Sequence, residues 1–156
     1  MNYLIIGASS GLGRDLAYKF SQNSHNITLV SRDERDLKAL QSDIESKFNS
    51  KVSIYDVDCS SHEKVNAFIN NNLDVFKNLD GVLFPIGMIF DDDTVQNDIS
   101  KTNELLQANY GIVSHIVSTL IKIFEEKNSG CIVGFGSVSA YLGREVNSGY
   151  AASKRA

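Results

Sequence analysis

One proline, two cysteines and no cluster of basic residues set the first limits on this chain of 156 residues. Lysine and arginine number 15 against 19 acidic side chains, a net charge of −4, which argues against nucleic acid or an anionic membrane as partner and leaves small molecules. The longest apolar runs are strand-sized, and no basic segment followed by a long apolar region opens the chain. Neither a signal peptide nor a transmembrane helix is therefore expected, and the protein is expected in the cytoplasm. Cys59 and Cys131 lack metal-ligand spacing, so no metal site is expected. Both read as free thiols in or near the core, with Cys131 opening a buried-looking strand. The lone proline, Pro85, cannot donate to a β ladder and suits a strand end. Hydrophobic residues make up 42% of the chain, enough to build one domain, 1–156, around a core.

What is present is organised around Gly7-Ala8-Ser9-Ser10-Gly11-Leu12-Gly13, between the apolar run Tyr3-Leu4-Ile5-Ile6 and a helical pattern that begins at Leu12. Gly7 permits a tight turn out of a strand, Gly11 lets backbone approach a pyrophosphate, and Gly13 lets the helix pack closely on the sheet. The helix N-terminus then offers free N–H groups and the positive end of its dipole to an anion. Leu12, Leu16 and Phe20 recur at helical spacing, then Ile27–Val30 reads as a strand and Leu37, Leu40, Ile44 and Phe48 as one helix face. Val52–Val57 alternates into a third strand ending at Asp58. Val65, Phe68, Ile69 and Phe76 mark a helix capped by Ser60 or Ser61, and Gly81–Phe84 is a fourth strand. From Gly87 to Asn97 the chain turns acidic, and Asp91-Asp92-Asp93 reads as a solvated loop rather than a cation site. A long helix from about Thr102 to Glu126 and a fifth strand, Cys131–Phe135, precede a last helix that opens at Tyr150. Strands alternating with helices predict an α/β fold, a Rossmann-like doubly wound parallel sheet, with ligands held beyond the carboxyl ends of the strands.

Tyr150 and Lys154 are four residues apart and share a helix face, and Ser137 follows a strand end at the same rim. A tyrosine hydroxyl, ordinarily of pKa about 10, needs a nearby cation to exchange a proton near neutrality, and Lys154 supplies one. A serine hydroxyl can hold a carbonyl while hydride arrives from a nicotinamide. On Gly7, Gly11 and Gly13, on Ser137 with Tyr150 and Lys154, and on Asn109 in Asn109-Tyr110-Gly111, the sequence resembles the classical short-chain dehydrogenases/reductases over essentially its whole length. The resemblance implies carbonyl or alcohol redox chemistry on a small molecule with NAD(P), in a homo-oligomer. Tyr150 would be the general acid/base. Lys154 would bind the nicotinamide ribose, Ser137 would orient substrate, and Asn109 would hold a water of a proton relay. Asp58 matches the family's adenine-contacting aspartate, and Ser9, Ser10, Leu12 and Gly87 fall in its cofactor-binding segments.

The second strand ends in Ser31-Arg32, where a fold that prefers NAD places a carboxylate against the ribose hydroxyls, so NADP(H) is expected, with Arg14 and Ser9 assisting. Ser139 reads as structural. His25, His62 and His115 lie outside the constellation, with His62 the one that could approach the adenine end. Two departures stand against the family pattern. Phe84-Pro85-Ile86-Gly87 replaces its Asn-Asn-Ala-Gly, losing amides that brace the sheet, and the chain stops two residues after Lys154. The fifth strand would then be an unpaired apolar edge, so the chain is expected to be part of a longer polypeptide or to need another chain. A non-catalytic dinucleotide-binding or sensing module is the competing function.

Overall fold

Alternation within the first strand decides the architecture. In the computed structural model, which describes residues 1–142 and 146–156, β1 (Asn2–Ile6) sends Leu4 and Ile6 into one core and Ile5 into another, on the opposite face. All three are fully buried. A strand covered on both faces belongs at the centre of a parallel sheet. Its neighbours are β2 (Asn26–Ser31) and β4 (Gly81–Phe84), with β3 (Val52–Asp56) and β5 (Cys131–Gly134) outside them, in the order β3-β2-β1-β4-β5 and all parallel. Ile6 stands opposite Val30, and Ile5 opposite Leu83.

Helices α1 (Gly11–Gln22) and α2 (Glu34–Lys47) cover the face that holds Ile5, through Ala17, Leu37, Leu40 and Ile44. The other face is covered by α3 (His62–Asn71), α4 (Leu73–Lys77) and α7 (Ile112–Lys127), through Val65, Phe68, Phe76, Ile112, Ile116 and Leu120. Each such buried side chain contributes roughly 1.5–3 kcal/mol of transfer free energy. Because β1 leads to β2 on one side while the chain later returns to β4 on the other, the helices that follow these two strands cover opposite faces of the sheet and a crevice opens at the strand ends.

Several expectations change. The acidic stretch is not simply a loop: Asp91 caps α5 (Asp92–Asn97) by accepting from Thr94 N at 2.8 Å. Carboxylates at a helix start offset its dipole, which is where this run of charge goes. Asp98 caps α6 (Ile99–Leu106) in the same way, so the long helix begins earlier than its apolar face implies. That helix is also not uniform, since Gln107–Gly111 forms a π turn between α6 and α7. The Gln107 amide lies over Gly111, where a Cβ would overlap it, and its other neighbour is the His62 ring. Val57 falls just past the end of β3, and Ser61 rather than Ser60 caps α3. Cys131 is exposed rather than near the core, as is all of β5, while the expected apolar sheet edge is present: among the described residues β5 pairs with β4 alone. Among the described residues no helix is long and apolar enough to cross a membrane.

Candidate active site

The loop after β1 is built by close approach. Gly7 N and Ala8 N both donate to Val30 O, at 2.8 and 3.2 Å, which ties the loop to the end of β2. Gly7 adopts φ +94°, and a Cβ there would stand 2.9 Å from Ile86 Cα, so the loops after β1 and β4 touch through a glycine. Gly13 is buried in the first turn of α1, where a Cβ would overlap the Gly7 carbonyl oxygen. Ser10 occupies the N-cap position of α1 in extended conformation, yet its side chain makes no capping hydrogen bond. The Ser10 side chain thus leaves the opening N–H groups of α1 uncapped, the arrangement that suits an anion at a helix start.

A cleft of about 500 Å³ lies over this terminus. It is lined by Gly7, Ser9, Ser10, Gly11 and Leu12, by Ser31 and Arg32, by Val57 and Asp58, and by Gly87 with its neighbours. Leu12, named above among the cofactor-binding segments, lines this cleft and is half exposed. At the β2 corner Ser9 Oγ and Ser31 Oγ are 2.7 Å apart, beside the exposed Arg32. Asp33 follows, but its carboxylate caps α2 by accepting from Asp36 N at 3.1 Å. Arg14 does not reach the cleft wall; its guanidinium braces the loop by donating to Ser9 O, at 3.0 Å from Nε. On the far side, Asp58 accepts from Ser60 N and Ser60 Oγ at 3.0 and 2.7 Å. Those bonds hold its carboxyl below the usual carboxylate range, so it is charged at neutral pH. Cys59 lies beside it with a thiol pushed up to about 12 by burial, which leaves it protonated and inert as a nucleophile. His62 is not part of this wall and meets Gln107 instead.

The cleft continues past Leu12, Pro85, Ile86, Gly87 and Met88 into a hollow of about 280 Å³ that is closed by Phe135, Gly136, Tyr150 and Lys154. Tyr150 and Lys154 are carried one turn apart on α8 (Ser148–Arg155), and Lys154 Nζ is 3.8 Å from the point a Cβ on Gly87 would occupy. Asn109, buried in the π turn, closes the back of the site: Oδ1 accepts from Met88 N at 2.7 Å, and Nδ2 donates to Met88 O and Ser153 Oγ, both at 2.8 Å. Both amide hydrogens are therefore committed to protein, and a water could reach only Oδ1 or the backbone. Ser137 stands apart from the hollow's lining; its Oγ accepts from Ser139 N at 3.2 Å and caps the short turn Val138–Ala140, which packs on α8. Ser139 is buried.

Two contributors carried no sequence signal. Ser153 sits between Tyr150 and Lys154, where its type is unremarkable. Asp92 reaches 56 positions along the chain to the start of α8, accepting from Ser148 N at 2.8 Å and Ser148 Oγ at 2.9 Å. The local N-cap residue, Asn147, makes no such bond. Asp92→Ala is expected to cost about 1 kcal/mol, the usual value of a lost cap, read as a lower urea midpoint at unchanged slope. An unchanged midpoint would show that α8 does not depend on Asp92.

The model of the short chain dehydrogenase family matches residues 2–156. The chain is 24% identical over 153 residues to an oxidoreductase of Staphylococcus epidermidis, with 98% of this chain and 65% of that protein covered. It is 26% identical over 151 residues to the 3-oxoacyl-[acyl-carrier-protein] reductase of Chlamydia muridarum, covering 97% of this chain and 61% of the relative. Among solved structures, a short-chain dehydrogenase from Sphingobium yanoikuyae in complex with NADPH superposes with a TM-score of 0.90 at 24% identity, over 99% of this chain and 60% of that one. This chain spans less than two thirds of the length of each of these proteins.

Proposed function

The chain belongs to the short-chain dehydrogenase family, and we propose that it is the part of an NADP(H)-dependent oxidoreductase that interconverts a small-molecule carbonyl and its alcohol. One observation carries the reading: the hollow containing Tyr150 and Lys154 continues the cleft that lies over the uncapped start of α1. Bound NADP(H) would supply or take the hydride. The opening N–H groups of α1 hold the pyrophosphate, Asp58 faces the adenine end, and Lys154 beside Gly87 holds the nicotinamide ribose. The Tyr150 hydroxyl gives the proton to the alkoxide oxygen or takes it from the alcohol, and the Lys154 ammonium stands one turn away on the same helix. Ser137 orients the substrate oxygen after turning from Ser139 N. The test, run on the polypeptide as its own gene encodes it, is NADPH oxidation with two probe carbonyls, acetoacetyl-CoA and the diketone benzil. Consumption of NADPH that depends on the carbonyl is expected, and its absence with both would count against the reading.

The preference for NADP(H) is supported by Ser31, by Arg32 and by the commitment of Asp33 to capping α2, which draws its charge into the helix start. Arg32→Ala is expected to weaken NADPH binding about 10–100-fold, the equivalent of one charge-assisted phosphate contact, while NADH binding stays nearly unchanged. Equal loss for both cofactors in a fluorescence titration would remove the 2′-phosphate assignment. The competing reading, a cofactor-sensing module, draws on the Ser137 hydroxyl being engaged with Ser139 and on the altered segment after β4.

A further inference from the structure

Ser153 is the most deeply buried residue of α8, 2% exposed, and its hydroxyl is used twice. It donates to Tyr150 O at 2.8 Å and accepts from Asn109 Nδ2 at 2.8 Å. Helix formation does not ask for this residue: alanine is the better helix former, and a serine bonding back to its own helix slightly weakens it. A buried hydroxyl is tolerated only when its hydrogen bonds are made, so the reason for Ser153 lies across the interface with the π turn. Asn109, its partner there, holds the Met88 backbone by both its N–H and its C=O. A single oxygen thus joins the helix that carries Tyr150 and Lys154, the π turn, and the loop after β4 whose Gly87 faces Lys154.

We propose that Ser153 is a positioning residue of the redox site, acting through Asn109 to fix the loop at Gly87 and Met88 against α8. The proposal rests on the reading of Tyr150 and Lys154 as the reacting pair. Ser153→Ala changes no volume beyond one oxygen, but it leaves a hydrogen of the buried Asn109 amide without an acceptor. Asn109 can recover one only by turning away from Met88, which loosens both Met88 bonds together and shifts the floor of the hollow beneath Lys154.

The test uses the full chain and two independent readouts. In Ser153→Ala, hydrogen exchange at the Met88 amide is expected to accelerate roughly fivefold or more while exchange at the β1 amide of Ile5 is unchanged. Turnover of whichever probe carbonyl reacts is expected to fall about tenfold at unaltered NADPH affinity, and adding Ser153→Ala to Asn109→Ala is expected to slow that variant no further. A merely structural serine would lower the melting midpoint yet leave Met88 exchange and turnover as they were, and that result overturns the proposal. So does a double variant in which the two losses multiply. If no carbonyl reacts even with the unaltered chain, the oxidoreductase reading is what fails, and Met88 exchange alone then decides whether Ser153 positions the loop.

Discussion

Tyr150→Phe is expected to reduce turnover by about 10²–10⁴-fold, the range that positioned proton transfer supplies. The substitution removes one oxygen and leaves the ring in the hollow beside Phe135 and Gly87, so NADPH affinity should stay where it was. That split is the diagnostic. Loss of an interaction made only in the transition state lowers kcat and kcat/KM together and leaves cofactor binding alone. A sensing module would show no difference, because a hydroxyl that moves no proton has little to do with holding a dinucleotide. Turnover that survives within a factor of a few would remove Tyr150 from the chemistry. Lys154→Ala makes the complementary test: it should weaken NADPH binding as well as turnover, since this ammonium lies beside Gly87 where both assignments meet.

Gly13→Ala carries the other large effect. The missing Cβ is what lets the first turn of α1 rest on the β1 loop, 3.0 Å from Ala8 Cα and in overlap with the Gly7 carbonyl oxygen were a methyl present. Neither neighbour is a flexible side chain that could swing aside. Gly7 O and Ala8 belong to a loop tied to Val30 O by two hydrogen bonds, so relief requires α1 to lift. The expected cost is about 3 kcal/mol, at the upper end for overpacking, and NADPH binding should go with it because the lifted terminus no longer faces the cleft. Gly11→Ala is the control. A Cβ there meets open space, and only its φ of +47° resists, a penalty of roughly 1–2 kcal/mol. Urea unfolding of the pair should rank Gly13→Ala clearly lower. The reverse ranking would mean that backbone conformation, not helix contact, is what glycine supplies in this loop.

The double-sided apolar runs make the sheet legible in the sequence: Leu4, Ile5 and Ile6 have to be buried on both faces, as a central parallel strand is. The glycine loop followed from its place between such a strand and a helix. What stayed hidden depends on contacts between residues remote in sequence. The acidic run reads as a solvated loop until Asp92 is seen across from Ser148. The π turn leaves no legible pattern, since Gln107–Gly111 buries only Ala108 and Asn109 and so offers no large apolar side chain to mark the phase of the helix. Cys131 reads as near the core because composition reports what a side chain would like to touch, not whether another element covers it. Asn109 was identified as a site residue by resemblance, but its bracing of Met88 depends on a loop 21 positions away.

The open start of α1 also makes folding and ligand supply one equilibrium. The uncapped N–H groups converge only once α1 is folded, and a ligand that binds only the folded chain adds about 2.7 kcal/mol at a hundred times its dissociation constant. The lifetime of such a chain against proteolysis would then track the level of its nucleotide pool, lengthening when the pool is full and shortening when it is drained.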